Sequence, residues 1–258
     1  MASSLIGGMI ANDYPASRIT ACDIDEEKLT SLAADFGINT TSDSLHAAEL
    51  AEIVVLAIKP QVMQTVCENL AANIKPKSLF ISIAAGIREN SINRWLGGNR
   101  AIVRCMPNTP ALVQLGATGL YANSRVSSEQ KKAAQAILDA VGVTVWVEPE
   151  SALDAVTAIS GSGPAYFFYF IELLQQAGEN LGLSKETAGM LAKQTAFGAA
   201  SMAHSGDVVK LRAQVTSKGG TTEQAILSFQ QNGLPSLLEK ATLAARDRSV
   251  ELAQQLEK

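Results

Sequence analysis

Residues 53–58 of the chain read Ile-Val-Val-Leu-Ala-Ile, and residues 79–83 read Leu-Phe-Ile-Ser-Ile. Nearly every position in these two runs is apolar, which is typical of parallel β-strands that are covered on both faces. Similar short runs lie on either side of them in the first half of the chain. The six predicted strands are Arg18–Asp23, Glu52–Ile58, Ser78–Ile83, Ala101–Cys105, Gly116–Tyr121 and Val143–Val147.

The segments between these strands carry helical patterns. Residues 29, 32, 33 and 36 are apolar and form one stripe at helical spacing. Ser127 and Gln130 have the spacing of a capping box at a helix start. This alternation of strand and helix predicts an α/β sheet of parallel strands joined by right-handed crossovers.

The second half of the chain has a different pattern. After Glu148-Pro-Glu150 only helical patterns occur, which predicts a domain of residues 1–149 and an all-helical domain of residues 150–258. The helix predicted from Ala165 to Leu181 is apolar on almost all sides. Such a helix requires burial on more than one side, in a bundle or against another subunit.

Composition excludes several classes of protein. The chain has 258 residues, 21 Lys and Arg against 25 Asp and Glu, and a pI of about 5.3, which argues against a nucleic-acid partner. Three scattered cysteines and two histidines predict no metal site and a reducing compartment. Apolar runs are shorter than the about 18 residues of a membrane helix, and no basic signal segment opens the chain. We therefore expect a cytoplasmic protein with no membrane association.

Three of the predicted strands end in short loops rich in Pro, Gly or Ala. The loops follow residues 56, 82 and 105 and include Lys59-Pro60, Ala84-Ala-Gly86 and Pro107-Asn108. In open α/β sheets ligands bind at the carboxyl ends of strands, so the three loops together predict a cleft, although Pro and Gly in any one of them can simply end a strand. Asp23 ends another strand, where an acidic residue often meets the ribose of a dinucleotide; with Asp25 it equally suits a turn and a helix cap.

Two motifs stand out in the helical half. Ser160-Gly-Ser-Gly-Pro-Ala-Tyr166 predicts a flexible turn before a helix whose free N–H groups favour an anion, or an ordinary capped helix. Val215-Thr-Ser-Lys-Gly-Gly-Thr-Thr-Glu-Gln224 contains two glycines that leave backbone N–H groups unshielded. That loop can hold a small carboxylate while a threonine hydroxyl reaches a neighbouring polar atom. Thr221 and Gln224 alternatively form a capping box.

In this order, five segments resemble the Δ1-pyrroline-5-carboxylate reductase family over essentially the whole chain. They are Ala57–Pro60, Ser82–Gly86, Met106–Pro110, Ser160–Tyr166 and Val215–Thr222. The resemblance implies a Rossmann-like parallel-sheet domain followed by an all-α dimerisation domain. It further implies a homodimer or a ring of dimers, with active sites shared between subunits. The implied reaction is reduction of the C=N bond of a cyclic imino acid to L-proline, the last step of proline biosynthesis, with NADPH or NADH.

The resemblance also implies roles for individual residues. We expect Thr222 to act in catalysis by donating a hydrogen bond to the imine nitrogen, with solvent supplying the proton. Substrate binding is assigned to Ser217, Gly219, Gly220, Thr221, Thr222 and Asn108. Cofactor binding is assigned to Ala57, Lys59, Pro60, Ser82, Ala84, Ala85, Gly86, Met106, Pro107, Asn108 and Asp23.

The sequence departs from the family pattern at two places. The family's usual first strand and Gly-x-Gly-x-Met turn are absent from this numbering, and Met1 resembles the Met of that turn. A start codon assigned too far downstream, a shortened chain or impaired cofactor binding would each account for this. Lys218 stands where the family commonly has Pro. The sequence leaves two rivals open: a degenerate, non-catalytic helical dimer, and a β-hydroxyacid dehydrogenase. That second class places a catalytic lysine a few residues after a Gly-rich turn, whereas Ala165–Phe170 contain none.

Overall fold

The structure is a computed structural model, and it describes residues 1–256. The chain divides into two compact units. The first, here called the sheet unit, comprises Met1–Ser162 together with the chain from Ala245 onward, and the second, the helical unit, comprises Gly163–Ala244. The last strand ends at Trp146, just before the predicted domain boundary near residue 149.

Strands and helices alternate through the sheet unit, with two short 3-10 turns at Ala16–Arg18 and Thr109–Val113. The strands are β1 (Thr20–Cys22), β2 (Asn39–Thr41), β3 (Ile53–Leu56), β4 (Leu79–Ser82), β5 (Ala101–Met106), β6 (Gly116–Ala122) and β7 (Gly142–Trp146). The helices are α1 (Ala2–Ala11), α2 (Glu26–Phe36), α3 (Ser44–Leu50), α4 (Pro60–Leu70), α5 (Glu89–Trp95), α6 (Ser128–Asp139) and α7 (Ala152–Val156). All six predicted strands are confirmed, and β2 was not predicted.

Strand pairing places β3, β4 and β5 side by side and parallel. The register pairs Leu56 with Ser82 and Ser82 with Arg104. These three strands therefore end together at one edge of the sheet, and the chain leaves each of them on the same side of the molecule.

One expectation about the sheet is wrong. β6 runs antiparallel to β5, pairing Met106 with Gly119, and not parallel like the other neighbours. The reason is the connection: residues 107–115 are too few for a parallel crossover, which takes a dozen residues or more. β7 then pairs with β6 in parallel, through the crossover helix α6.

Hydrogen bonding divides the strands into two sheets, β1–β2 and β3 to β7. In the usual doubly wound order the first strand lies between the counterparts of β1 and β3. Among residues 1–256 no strand occupies that position, and α1 is the first element.

Side-chain caps explain where several helices begin. Asp25 accepts hydrogen bonds from the backbone of Glu27 and Lys28 at the start of α2. Ser127 and Gln130 form the predicted capping box at the start of α6. Each cap satisfies backbone N–H groups that have no partner within the helix, so these boundaries are set locally.

The apolar core lies on both faces of the larger sheet. Phe80 and Ile102 pack with Met63 of α4 and Ile92 of α5. Residues from the alternate strand positions, such as Ile81, pack with α1 and α6 on the other face. Phe80 is completely buried, so truncating it to Ala would cost about 3–5 kcal/mol of folding free energy.

The helical unit is built from long helices, and residues 151–256 contain no strand, as predicted. Its elements are α8 (Gly163–Asn180), α9 (Lys185–Ser205), α10 (Val208–Gln214), α11 (Thr221–Gln231) and the first part of α12 (Leu234–Leu256). α8 packs against α9. Ser184 caps α9 by accepting a hydrogen bond from the Thr187 amide. Within residues 1–256, none of the helices has the length and apolar character needed to traverse a lipid bilayer.

The predicted flexible turn at Ser160–Tyr166 is also wrong. Thr157–Gly161 form a π-helical turn between α7 and α8, and the Ser162 amide donates to the carbonyl of Thr157 at 2.8 Å. Gly161 packs closely against Met106, since a Cβ at this position would lie 2.6 Å from Cε of that side chain. Among the N–H groups expected to attract an anion at this segment, that of Ser162 is therefore already bonded to the backbone.

Candidate active site

The three loops predicted to form a cleft leave neighbouring strands at the same sheet edge. Residues 57–60 follow β3, residues 83–86 follow β4 and residues 107–110 follow β5. The carboxyl ends of parallel strands with helices starting beyond them are the usual ligand-binding edge of such sheets. The structure therefore brings most of the predicted cofactor residues to one place.

The first loop ends in a helix start suited to a phosphate. α4 begins at Pro60, and no side chain caps it. Its N-cap residue Lys59 is exposed and has no ion-pair partner within the described chain. Ala57 and Pro60 are half-buried beside it. First-turn N–H groups and an exposed ammonium group are a favourable donor set for the phosphates of a dinucleotide.

The second loop is tightly held. Ser82 is buried, and its hydroxyl oxygen accepts a 3.4 Å hydrogen bond from the Ala84 amide. Gly86 has a φ of +75°, and a Cβ there would lie 3.2 Å from Cδ1 of Leu256. Ala84 is buried, so Ala85 is the exposed residue of this loop. Small residues let a flat ring approach the backbone, which suits the predicted role of this loop in cofactor binding.

The third loop is fixed by Asn108. Its amide nitrogen donates to the carbonyl of Ser160 at 3.0 Å, and its oxygen accepts from the Ala117 amide at 2.9 Å. These two hydrogen bonds join the loop to the π-helical turn and to β6, and Asn108 itself is only 9% exposed. Met106 is half-buried and Pro107 is buried. Contact of these residues with a cofactor or substrate stays a prediction.

Asp23 lies at the end of β1, in the smaller sheet. Its Oδ1 accepts from the Asp25 amide at 3.1 Å, while its side chain remains 39% exposed. Burial, with the carboxylates of Asp23 and Asp43 nearby, raises the pKa of the Cys22 thiol. The Lys28 ammonium group lies 3.9 Å from Oδ2 of Asp23 and 3.3 Å from Oδ2 of Asp25, so the two carboxylates are partly balanced, and contact of Asp23 with a ribose stays a prediction.

The other two cysteines have no features of a nucleophile. Burial raises the pKa of Cys67 to about 12 and also raises that of Cys105. The described residues contain no cluster of three or more His, Cys, Asp or Glu side chains that could hold a metal ion.

The loop of the helical unit that contains Gly219 and Gly220 differs from its predicted form in its hydrogen bonds. Gly220 is the N-cap of α11 and Thr221 is the first helical residue, so the capping-box alternative for Thr221 and Gln224 is wrong. The Gly220 amide donates to the carbonyl of Ser217 at 3.0 Å, and the Gly219 amide donates to Glu223 at 2.7 Å. Two of the predicted anion-binding N–H groups thus already have partners.

The loop nevertheless has the shape of a small binding surface. Gly219 has a φ of +75° and open space where a Cβ would be, whereas a Cβ on Gly220 would lie 2.6 Å from Oγ of Ser217. No side chain caps α11, so its first-turn N–H groups remain available. Thr222 is half-buried, and its hydroxyl has no hydrogen-bond partner among residues 1–256.

Sequence reasoning missed a buried polar network in the sheet unit. Arg88 forms a 2.8 Å ion pair with Asp154, which also accepts a hydrogen bond from Ser249. Arg104 forms a 2.6 Å ion pair with Glu150. Glu150 and Asp154 lie four residues apart, but this spacing does not identify their partners, which are distant in sequence.

Comparison with known protein families assigns both halves of the chain. A family model described as pyrroline-5-carboxylate reductase dimerisation matches residues 150–252. A second model, described as NADP oxidoreductase coenzyme F420-dependent, matches residues 1–86.

Individual relatives match over nearly the whole chain. A pyrroline-5-carboxylate reductase of Pseudomonas aeruginosa is 52% identical over 258 residues, which are 99% of this chain and 94% of the relative. The solved structure of a pyrroline-5-carboxylate reductase from Coxiella burnetii matches with a TM-score of 0.94 and 45% identity, covering 98% of this chain and 94% of that one. The Plasmodium falciparum pyrroline carboxylate reductase, solved with NADP bound, matches with a TM-score of 0.83 and 30% identity over the same shares.

Proposed function

The chain belongs to the pyrroline-5-carboxylate reductase family, and on that premise we propose that it reduces the C=N bond of 1-pyrroline-5-carboxylate with NADPH or NADH to give L-proline. The observation that carries the proposal is the 52% identity to a relative of that name along essentially the full chain. The convergence of three loops at the carboxyl edge of β3, β4 and β5 supports it.

The cofactor belongs at the carboxyl edge of the larger sheet. When bound, a reduced nicotinamide dinucleotide supplies the hydride for the imine carbon. Lys59 and the start of α4 hold phosphate oxygens, and Ala57 and Pro60 lie beside the ribose. Ser82, Ala84, Ala85 and Gly86, with Met106, Pro107 and Asn108, form the nicotinamide side, and Asp23 takes the adenosine ribose.

The substrate carboxylate binds the backbone between Ser217 and Thr221. In the structure the Glu223 carboxylate holds the Gly219 amide, so the arriving substrate displaces this side chain. The uncapped first turn of α11 provides further N–H donors and the positive end of the helix dipole.

Thr222 acts on the imine nitrogen. An imine accepts hydride readily when its nitrogen is protonated or strongly hydrogen-bonded. The Thr222 hydroxyl, which has no partner within the described chain, donates to that nitrogen and orients the ring. A threonine is too weak an acid to give up its proton at neutral pH, so the proton comes from solvent.

The helical unit forms a homo-oligomer, in keeping with the dimerisation family model over residues 150–252. α8 supplies the apolar surface: Phe167, Phe168 and Tyr169 are 72%, 66% and 60% exposed in the isolated chain. Exposed apolar area of this size marks a protein interface. We further propose a dimer or a ring of dimers in which the sheet unit of one subunit and the helical unit of another complete each active site.

The free cysteines suit the reducing cytoplasm.

A direct assay tests this function. The protein is mixed with 1-pyrroline-5-carboxylate and NADPH or NADH, and oxidation of the nicotinamide is followed with L-proline formation. One L-proline should form for each nicotinamide oxidised. The rival is a non-catalytic helical dimer. For that rival, neither nucleotide would raise the melting temperature of the protein or support turnover.

A further inference from the structure

Asp154 joins two distant parts of the sheet unit. It is 7% exposed, its Oδ2 accepts a 2.8 Å hydrogen bond from Nη2 of Arg88, and its Oδ1 accepts a 2.8 Å hydrogen bond from Oγ of Ser249. Arg88 is the N-cap of α5, and Ser249 lies in α12. One carboxylate therefore fixes a position just beyond the β4 loop and a position on the C-terminal helix at the same time.

Glu150 reinforces the arrangement one helical turn earlier. Its Oε1 accepts a 2.7 Å hydrogen bond from the Glu89 amide and a 2.6 Å hydrogen bond from Nη1 of Arg104 in β5. Glu89 begins α5, so its amide has no acceptor within the helix. Together Glu150 and Asp154 hold the consecutive residues Arg88 and Glu89, which are separated from the loop Ser82–Gly86 by Ile87 alone.

The C-terminal part of α12 forms the support beneath this loop. Ala253 is 2% exposed, and Leu256 packs against the core cluster that contains Ala84 and Ile87. A Cβ on Gly86 would lie 3.2 Å from Leu256 and 3.7 Å from the backbone nitrogen of Ala253. The helix and the loop are thus in close contact, and a shift of the helix would move the loop.

We propose that Asp154 is a positioning residue for the reduction: by binding Arg88 and Ser249 together it clamps α12 under Ala84–Gly86 and so sets the position of this loop against the nicotinamide ring. The proposal rests on the proposed function, which assigns the loop to the nicotinamide. Buried ion pairs contribute little net stability because desolvation offsets their attraction, whereas they do select one geometry among close alternatives in some proteins. Geometry is what hydride transfer requires.

The test compares the binding of two ligands, one with and one without the nicotinamide half of the dinucleotide. NADPH and 2′,5′-ADP, which lacks the nicotinamide, are titrated by calorimetry into the full chain and into the variants Ser249→Ala and Asp154→Asn. Ser249→Ala removes the link to α12 and keeps the ion pair with Arg88. Asp154→Asn retains one acceptor for Arg88 and can donate to Ser249, but it removes the charge. Ser78→Ala is the matched control. It removes the hydrogen bond from the buried Ser78 hydroxyl to the Ala51 carbonyl, and Ser78 lies just before the start of β4, at the other end of the strand from the loop.

For a positioning role, both variants should weaken NADPH binding about three- to tenfold and leave 2′,5′-ADP within about twofold. They should also lower kcat while the KM for 1-pyrroline-5-carboxylate stays nearly constant. Ser78→Ala should leave the ratio of the two affinities unchanged, even if its melting temperature falls. If a variant weakens the binding of both ligands equally, or if a folded variant binds both as the unmodified chain does, the positioning role is wrong. The proposed function would be unaffected by either result. Failure of the unmodified chain to bind either NADPH or NADH would overturn the proposed function with it.

Discussion

The Gly219 amide donates a 2.7 Å hydrogen bond to the carboxylate of Glu223, four residues later. The loop assigned to the substrate carboxylate therefore already holds a carboxylate of the protein itself. The two acids have the same charge and the same preference for backbone N–H donors, so they compete for this amide.

Neutralising Glu223 should therefore favour substrate. We expect Glu223→Gln to lower the KM for 1-pyrroline-5-carboxylate about three- to tenfold, because a charge-assisted hydrogen bond no longer has to be displaced and a like charge is removed. Initial rates at saturating NADPH measure this. Glu186→Gln, which neutralises a glutamate in the first turn of α9, is the control. A higher KM in Glu223→Gln would instead mean that Glu223 orders the loop for binding.

Thr222 should affect the chemical step. Removing a donor that stabilises developing charge typically lowers kcat by about 100-fold, and we expect this for Thr222→Ala, with cofactor affinity unchanged. Thr222→Ser keeps the hydroxyl and is the matched control, expected to retain most of the activity. Single-turnover rates and NADPH titrations separate the two effects. If kcat in Thr222→Ala equals that of the unmodified chain, the assigned role is wrong.

Asp23 should influence the choice of cofactor. Its carboxylate is 39% exposed, and a negative charge at this position disfavours the 2′-phosphate of NADPH. We expect Asp23→Ser to shift the ratio of kcat/KM for NADPH over NADH upward about tenfold.

Asp25→Ser provides a charge-matched control for that shift, because Ser also caps helices well. Asp25 caps α2 and does not end the strand. If Asp25→Ser shifts the ratio as much as Asp23→Ser does, a general field effect accounts for the preference and a specific ribose contact does not.

The exposed face of α8 should be needed for assembly. We expect Phe168→Glu to convert the oligomer into monomers, since a buried unpaired charge is strongly unfavourable in an apolar interface. Analytical ultracentrifugation measures the mass. Leu50→Glu introduces the same charge at a 62% exposed apolar position of α3 and should leave the assembly intact. Monomers in both variants, or in neither, would contradict the assignment of this face.

Local sequence patterns were sufficient to predict the core of the sheet and the loops at its carboxyl edge. Apolar runs such as residues 53–58 are contiguous, and their ends are marked by Pro and Gly. β2 was missed because Asn39-Thr-Thr41 is polar and only partly buried. The Gly- and Ser-rich stretch before Pro164 predicted a turn, but Gly161 serves close packing against Met106 in a π-helical turn.

The polar network could not be predicted in the same way. Arg88 and Asp154 are 66 residues apart in sequence, and Asp154 and Ser249 are 95 apart. Their pairing depends on how α12 returns to the sheet unit, which no local pattern specifies. The hydrogen bond from Gly219 to Glu223 is local, but it depends on the φ of +75° at Gly219. A glycine can adopt this angle and many others, so the sequence alone does not predict the bond.

The shortness of β1 and β2 has a consequence for local opening. Each of these strands has three residues, and none of those residues is fully buried. A short two-stranded pair has little cooperativity with a neighbouring core. In amide hydrogen exchange, the protons of Ala21 and Thr40 will therefore exchange through sub-global fluctuations, well before those of Phe80 and Ile102, which require global unfolding.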